Sequence, residues 1–201
     1  MTTALQYPPT SQKAKASLPP ARWTVEQFHR MNSPEIIGPE RRLMLIDGLI
    51  LEREPMNPPH ALTVELMTAV LYRTFGSGWR IRVQLPLELS LYLDPFPDFA
   101  ILKGNAKGET VHPTNASLVI EVADTSLDFD LTEKAELYAT ANIPEYWVLD
   151  LNAKTLVVLR DPVPVPDNRN AYRSITTLKI GDHIQPLAKP EATIAIADLM
   201  P

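Results

Sequence analysis

The amino-acid sequence predicts a mixed α/β domain in which a β-sheet is flanked by helices on both faces. Apolar runs of strand length, bounded by turn residues, recur throughout the chain after residue 43. Two stretches, near residues 61–75 and 130–141, instead have the apolar spacing of amphipathic helices. The run Leu118–Ala123 is apolar on both faces, as expected of a strand in the middle of a covered sheet. Strands interleaved with helices indicate the layered α/β class.

Helix and hairpin signals describe the N-terminal part of this domain. Thr24 and Gln27 have the spacing of a capping box and predict the start of a short helix. Asp47 and Gly48 lie between two apolar runs and predict the tight turn of a β-hairpin. A longer helix is predicted over residues 61–75. Its expected core face consists of Leu62, Leu66, Ala69, Val70 and Phe75.

Strands dominate the remainder of the chain. Residues 80–93 alternate well enough for one or two strands, and residues 98–102 predict another. The next helix is predicted to begin near Asp130, which has capping-box spacing to Glu133. Asn142 can adopt the left-handed conformation that ends a helix. Further strands are predicted at residues 146–151, 155–160 and 172–179.

Composition excludes several classes of protein. Hydrophobic residues make up 45% of the 201-residue chain, enough for one sizeable core. We therefore predict a single domain over residues 22–201, preceded by a disordered tail at residues 1–21. No apolar run approaches the roughly 20 residues needed to span a bilayer, and the N-terminus lacks the apolar core of a signal peptide, so we expect a cytoplasmic protein without a membrane partner. The absence of cysteine excludes disulfides, thiolate zinc sites and cysteine nucleophiles.

The charge distribution is uneven along the chain. The formal net charge of −5 argues against a protein that coats nucleic acid without regard to sequence. Residues 1–82 carry 10 Lys/Arg and 7 Asp/Glu, whereas residues 83–201 carry 9 and 17. Clustered carboxylates repel one another unless a cation lies among them. An ordinary acidic surface is the alternative explanation.

Two charged residues occur in stretches that are otherwise expected to be buried. Glu121 interrupts the central apolar strand, and Lys134 lies in the middle of the apolar arc of the following helix. Asp98 opens a strand upstream. If the two strands are neighbours, both carboxylates, a backbone carbonyl and waters would make a Mg²⁺ site. A lysine there could orient an attacking water or stabilise negative charge on a phosphorane-like transition state, which suits phosphodiester hydrolysis.

The same residues also have structural explanations. Asp98 follows Pro97 and could shape a turn. Glu121 and Lys134 could form a buried ion pair, and a lysine on an apolar arc can extend its ammonium to water. The spacing alone leaves these alternatives open.

Four segments in order resemble a known bacterial family. They are PDFAIL at residues 97–102, LVIEVADTS at 118–126, D-x3-K-x3-YA at 130–139 and IPEYWVLDL at 143–151. Together they resemble the Uma-two family of the PD-(D/E)xK nuclease superfamily, and the resemblance extends over about residues 22–160. It implies a restriction-endonuclease-like fold, Mg²⁺ with Mn²⁺ as a substitute, DNA as the substrate and a homodimer.

The resemblance also implies roles for individual residues. Asp98 and Glu121 would hold the metal together with the carbonyl of Val122, and Lys134 would position the attacking water. The lysine of the superfamily usually stands two residues after the acid, where this chain has Ala123, so the helix would supply it here. Candidate auxiliary residues, each also open to a structural explanation, are His60, Glu65, Glu88 and Tyr138.

Some departures from the family pattern and two rival functions accompany this hypothesis; one departure is Asn142, which stands where glycine is usual. Met44 and Leu49 stand where acidic residues are frequent in the family, so no further metal ligand is expected in the hairpin. The first rival is a nucleic-acid-binding or regulatory module that keeps the nuclease fold without turnover, which the scarcity of a basic groove favours. The second is a structural protein in which Glu121 and Lys134 are only an ion pair.

Overall fold

The computed structural model describes residues 19–32, 35–37, 41–53 and 55–201. The predicted tail therefore lies outside the described residues as far as residue 18. Within the described ranges, no helix is both long and apolar enough to cross a membrane.

Helices and strands follow one another in the predicted α/β manner. The first elements are helix α1 (Val25–Met31), strands β1 (Leu43–Ile46) and β2 (Leu49–Glu52), helix α2 (Pro58–Phe75), and strands β3 (Trp79–Val83), β4 (Phe99–Lys103) and β5 (Leu118–Ala123). Helix α3 consists of an α-helical turn (Leu127–Phe129), a π-helical segment (Asp130–Lys134) and a second α-helical segment (Ala135–Thr140). The later elements are β6 (Glu145–Asp150), β7 (Thr155–Val165), β8 (Arg169–Lys179), β9 (His183–Ile184), β10 (Ile194–Ala195) and a 3₁₀ helix (Ile196–Leu199).

Six strands form the main sheet, in the order β3-β4-β5-β6-β7-β8. Only β5 and β6 pair in parallel, and α3 supplies the crossover between them. Helix α2 packs on one face, where Met67 and Leu71 belong to the same core cluster as Ile120 and Trp147. On the other face Tyr138 of α3 packs in the second core cluster. The predicted fold class, a mixed sheet with helices on both faces, is confirmed.

The β1–β2 hairpin forms a separate two-stranded sheet, and its predicted turn is confirmed. Asp47 and Gly48 have φ of 49° and 75°, the left-handed values that a tight two-residue hairpin turn requires. Gly48 also lies against Arg22, because an added Cβ would come within 2.7 Å of the Arg22 Cβ. Backbone hydrogen bonds between Leu45 and Asp94 connect the hairpin to the segment before β4.

Helix α2 begins three residues earlier than predicted. Asn57 caps it by accepting a hydrogen bond from the backbone N–H of His60 at 3.0 Å. Pro58 and Pro59 therefore start the helix, since the N–H groups of the first turn have no partner within a helix and proline lacks that donor. His60 consequently belongs to the first turn of α2.

The predicted core face of α2 is partly wrong. Its buried residues are Thr63, Val64, Met67, Val70, Leu71 and Phe75. Leu62 and Leu66 are instead 47% and 37% exposed, and Ala69 is exposed as well. Apolar residues occur on both sides of this helix, so their spacing did not define a single face, and the packing against the sheet decided it.

Helix α3 also begins earlier than predicted, at Leu127 after the N-cap Ser126. Asp130 therefore lies inside the helix and is not its cap, and it is only 1% exposed. The prediction for Asn142 is confirmed, because it follows the helix with a φ of 55°.

The strand predictions for residues 80–93 and for the last pair of strands need correction. Only Trp79–Val83 forms a strand in the first region, since Gln84 has a φ of 51°. Strands β7 and β8 are longer than predicted and continue as a hairpin beyond Arg160, the last residue of β7 that pairs with β6. Pro162 and Pro164 are accommodated there because that half of β7 has only one neighbouring strand.

Candidate active site

A cavity of about 500 Å³ lies where β5 ends and β4 begins. Its walls come from the hairpin, the first turn of α2, Gln84 after β3, the ends of these two strands, and α3. The residues of interest that line it include Arg53, His60, Asp98, Glu121 and Lys134.

Sheet register brings Asp98 and Glu121 together. Strands β4 and β5 are antiparallel neighbours with Phe99 opposite Ile120, so Asp98 lies beside Glu121. The Asp98 N–H points to Glu121 Oε2 at 3.4 Å, and Asp98 Oδ2 accepts a hydrogen bond of 2.8 Å from the N–H of Val122. Both carboxylates are only 3% exposed. Strands β4 and β5 are therefore neighbours, as the predicted grouping of Asp98, Glu121 and Lys134 required.

Lys134 reaches the same cluster from α3. Its Nζ is 3.0 Å from Glu121 Oε1 and 2.8 Å from Asp130 Oδ1. The hydroxyl of Tyr138 donates to Glu121 Oε1 at 2.8 Å. Lys134 and Asp130 are the two ends of the π-helical segment, a type of helical irregularity that is frequent at functional sites.

Two further side chains hold Asp98. His60 Nε2 is 3.1 Å from Asp98 Oδ1, and Gln84 Nε2 donates to the same oxygen at 3.0 Å. The early start of α2 directs His60 to this carboxylate, and the left-handed backbone at Gln84 follows the end of β3. Asp98 therefore has partners for both of its oxygens.

The two carboxylates differ in their tendency to ionise. Burial alone would raise the pKa of Asp98, but the hydrogen bonds and charge of His60, together with Gln84 and Val122, outweigh it and lower the pKa below its usual value. Burial raises the pKa of Glu121 to about 7, and the positive charge of Lys134 only partly opposes this shift. Asp98 is thus the member of the pair whose ionised form is favoured.

The neighbouring carboxylates raise the pKa values of Lys134 and His60. Burial lowers the pKa of Lys134, but Glu121 and Asp130 raise it by more, so the ammonium form is favoured. Burial likewise lowers the pKa of His60, but its contact with Asp98 and the charge of Glu121 give a net rise.

The candidate auxiliary residues fall into two groups. His60 and Tyr138 contact Asp98 and Glu121 directly. Glu65 is exposed on α2, and Glu88 lies 3.8 Å from His29 Nδ1 in a different cluster. The structure does not bring either of these glutamates to the cavity wall.

Three residues of the site were missed by sequence reasoning. Asp130 was interpreted as a helix cap, although its position four residues before Lys134 is the spacing of an ion pair on one helix face. Gln84 gave no signal, because its role depends on a left-handed residue after β3. Arg53 lines the cavity from the hairpin. The sequence prediction of this hairpin used only its apolar runs and its turn residues.

A divalent cation such as Mg²⁺ requires oxygen donors. No group of three or more His, Asp or Glu side chains that could hold a metal ion occurs among the residues that the structure describes. Two carboxylates and one backbone carbonyl are nevertheless available. The N–H of Val122 points to Asp98, so its C=O points to the same side, beyond the end of the β4–β5 pairing. These oxygen donors fit Mg²⁺, which keeps several waters and needs only one or two carboxylates.

The fold and this cavity together define a mixed α/β domain with a buried cluster of acids and one lysine at the end of its central strands. The chain belongs to the Uma2 family, described as "Putative restriction endonuclease", whose model matches residues 25–197. This membership supports a nuclease-like function.

The fold is also found in a solved structure. It is the crystal structure of "a putative nuclease belonging to DUF820" from Anabaena variabilis ATCC 29413, with a TM-score of 0.66 and 14% sequence identity. The similarity covers 88% of this chain and 96% of that chain. No curated protein matches the sequence.

Proposed function

We propose that this protein is a Mg²⁺-dependent endonuclease that hydrolyses phosphodiester bonds in DNA, with Mn²⁺ as a substitute metal. The observation that carries the proposal is the convergence of Asp98, Glu121 and Lys134 on one cavity from three separate elements. The nuclease family to which the chain belongs supports the reaction class, and the oxygen donors support the metal. The proposal includes a homodimer whose two sites would address the two strands of a duplex.

Asp98, Glu121 and the carbonyl of Val122 would hold the ion. A bound Mg²⁺ supplies a Lewis acid for a phosphate oxygen and lowers the pKa of a coordinated water. Asp98 is ready for this role, because its hydrogen bonds favour the ionised form. Glu121 would exchange its proton for the cation, since its pKa near 7 leaves it partly protonated at neutral pH.

Lys134 would act as a charged donor. Glu121 and Asp130 keep the ammonium protonated, which removes Lys134 from the role of general base. Its N–H groups can instead orient the attacking water, and its charge can stabilise the developing negative charge on the phosphoryl oxygens. His60 would act as a positioning residue through its contact with Asp98.

The test is metal-dependent nicking of a supercoiled plasmid by Glu121→Gln. Wild-type protein should nick the plasmid with Mg²⁺ or Mn²⁺ and stop when the metal is chelated. Glu121→Gln should lose at least about 100-fold in rate, as expected when a group essential for transition-state stabilisation is removed. Exposed Glu65→Gln on α2 is the matched control and should cut normally. Wild-type-like cleavage by folded Glu121→Gln would contradict the assignment of the site.

One feature favours the alternative of a nucleic-acid-binding or regulatory module that keeps the nuclease fold without turnover. Lys134 Nζ already lies 3.0 Å from Glu121 Oε1, so this carboxylate has a cationic partner without a metal ion. A calorimetric titration with Mg²⁺ separates the two functions. An active site should bind the ion through Asp98 and Glu121, whereas a module without turnover, whose metal site has decayed, should give no heat of binding.

A further inference from the structure

The hairpin brings two arginines to the cavity. Arg42 immediately precedes β1 and Arg53 immediately follows β2. They extend the antiparallel pairing of Leu43 with Glu52 by one position, and the N–H of Arg53 donates to the Arg42 carbonyl at 2.7 Å. Both side chains are half-buried and line the cavity.

This arrangement is unfavourable without an anion. Like charges directly opposite each other on paired strands repel. Arg41, the neighbour of Arg42 in the sequence, shows the usual solution, because it forms an exposed ion pair with Glu52 at 2.7 Å. No carboxylate among the residues that the structure describes lies within ion-pair distance of Arg42 or Arg53.

Arg53 lies in the same cavity as the acidic cluster and within reach of its charge. Its guanidinium lies 5.8 Å from the ring centroid of Phe96, a distance at which an aromatic face attracts a cation. Burial and the charge of Arg42 lower the pKa of Arg53, while Asp98 and Glu121 act in the opposite direction. The two acids are therefore near enough to influence Arg53 without forming an ion pair with it.

Phosphate is the anion that this geometry suits best. A guanidinium offers a planar pair of N–H donors that matches two phosphate oxygens, and two adjacent guanidinium groups can share one phosphate. A phosphodiester placed between the arginines and the carboxylates would have cationic groups on one side and a metal-binding pair on the other. The repulsion between Arg42 and Arg53 would then become attraction for the ligand.

We infer that Arg53, with Arg42 beside it, forms a phosphate-binding site on the hairpin side of the cavity, and that its ligand is a backbone phosphate of nucleic acid. The identification of the ligand rests on the proposed nuclease function, whereas the anion site rests on the hairpin itself. It gives a protein of net charge −5 a local means of holding a polyanion. Arg53 is a substrate-binding residue here, and the proposed hydrolytic residues are those of the acidic cluster on the opposite side of the cavity.

The test is binding of a fluorescent DNA duplex by anisotropy, with Ca²⁺ replacing Mg²⁺ so that no cleavage occurs. Arg53→Ala should weaken binding about tenfold or more, as expected for the loss of a hydrogen-bonded charge. It should also reduce the slope of log affinity against log salt by about 1. Arg73→Ala is the matched control, because Arg73 is exposed near the end of α2 and pairs with Asp198. It should bind like the wild type.

Two further measurements keep the inference separate from the nuclease proposal. Inorganic phosphate, followed by ³¹P NMR, should bind the wild type and Arg73→Ala but not Arg53→Ala. If wild-type protein binds phosphate and DNA through Arg53 yet cuts nothing, the phosphate site stands and the nuclease proposal fails. If Arg53→Ala binds phosphate and DNA like Arg73→Ala while the wild type still nicks plasmid, the phosphate site is overturned and the nuclease proposal stands.

Folding is controlled with a second variant. Arg53→Gln keeps most of the side-chain length and polarity without the charge, and it should show the same loss if Arg53→Ala does not fold. Wild-type affinity in folded Arg53→Gln, or absence of phosphate and DNA binding by the wild type, would overturn the inference.

Discussion

The carboxylate of Glu121 is contacted by two donors of different charge. The ammonium of Lys134 and the hydroxyl of Tyr138 both approach Oε1, at 3.0 Å and 2.8 Å. Each lowers the pKa of Glu121, but burial outweighs them and the pKa rises to about 7. A cation can bind only the ionised carboxylate, so its affinity should increase as pH rises through this value and fall below it.

The substitution Tyr138→Phe should shift the pH dependence of Mg²⁺ affinity. Tyr138→Phe removes a hydrogen bond that favours ionised Glu121, so the pKa of Glu121 should rise further. The midpoint of Mg²⁺ affinity, measured by calorimetry across neutral pH, is expected at higher pH in this variant. Tyr172→Phe is the control, because the buried Tyr172 hydroxyl donates to the Ile143 carbonyl away from the site. An unchanged midpoint in Tyr138→Phe would contradict the role assigned to its hydroxyl.

At the scale of elements, the β1–β2 hairpin closes the cavity and depends on one glycine. Gly48 has a φ of 75°, and its missing Cβ leaves room for Arg22. Gly48→Ala should therefore combine backbone strain with a clash, at a cost of about 2–3 kcal/mol in the free energy of unfolding. The cost should appear as a lower urea midpoint with an unchanged m-value.

Gly108 provides the comparison for this prediction. It has a similar φ of 86°, but no atom lies within 4 Å of where its Cβ would be. Gly108→Ala should show the strain alone, about 1 kcal/mol. Equal losses in both variants would mean that the contact with Arg22 contributes nothing.

Helices α2 and α3 show how far pattern alone could predict elements. Their existence and approximate position were predictable from apolar spacing, yet both begin three residues early. The helix predicted over residues 61–75 left out Pro58 and Pro59, although proline is suited to a first helical turn. In α3 the π-helical segment at Asp130–Lys134 departs from the regular spacing used for the prediction.

At the scale of the whole molecule, a bound ion should stabilise the fold. Mg²⁺ that binds the native state and not the unfolded chain adds about 2.7 kcal/mol at a free concentration about 100 times its dissociation constant. The melting temperature should therefore rise with Mg²⁺ in the wild type and in Glu65→Gln. Glu121→Gln should lose most of this rise. An equal rise in Glu121→Gln would place the stabilising ion elsewhere in the molecule.

The sequence by itself determined the parts of this protein that depend on neighbours along the chain. The turn at Asp47 and Gly48, the doubly covered strand β5 and the misplaced charges of Glu121 and Lys134 all follow from local residue order. These features were enough to indicate the α/β class and to identify Glu121 and Lys134 as candidate site residues.

Tertiary structure decided which distant groups meet. His60 contacts Asp98 across 38 positions, and Arg53 faces the acids from a hairpin outside the main sheet. The buried face of α2 and the burial of Asp130 were likewise settled by packing. The physical reason is that periodicity reports only which side of its own element a residue occupies. Strand order and register decide what lies opposite, and burial then sets the charge that each group carries.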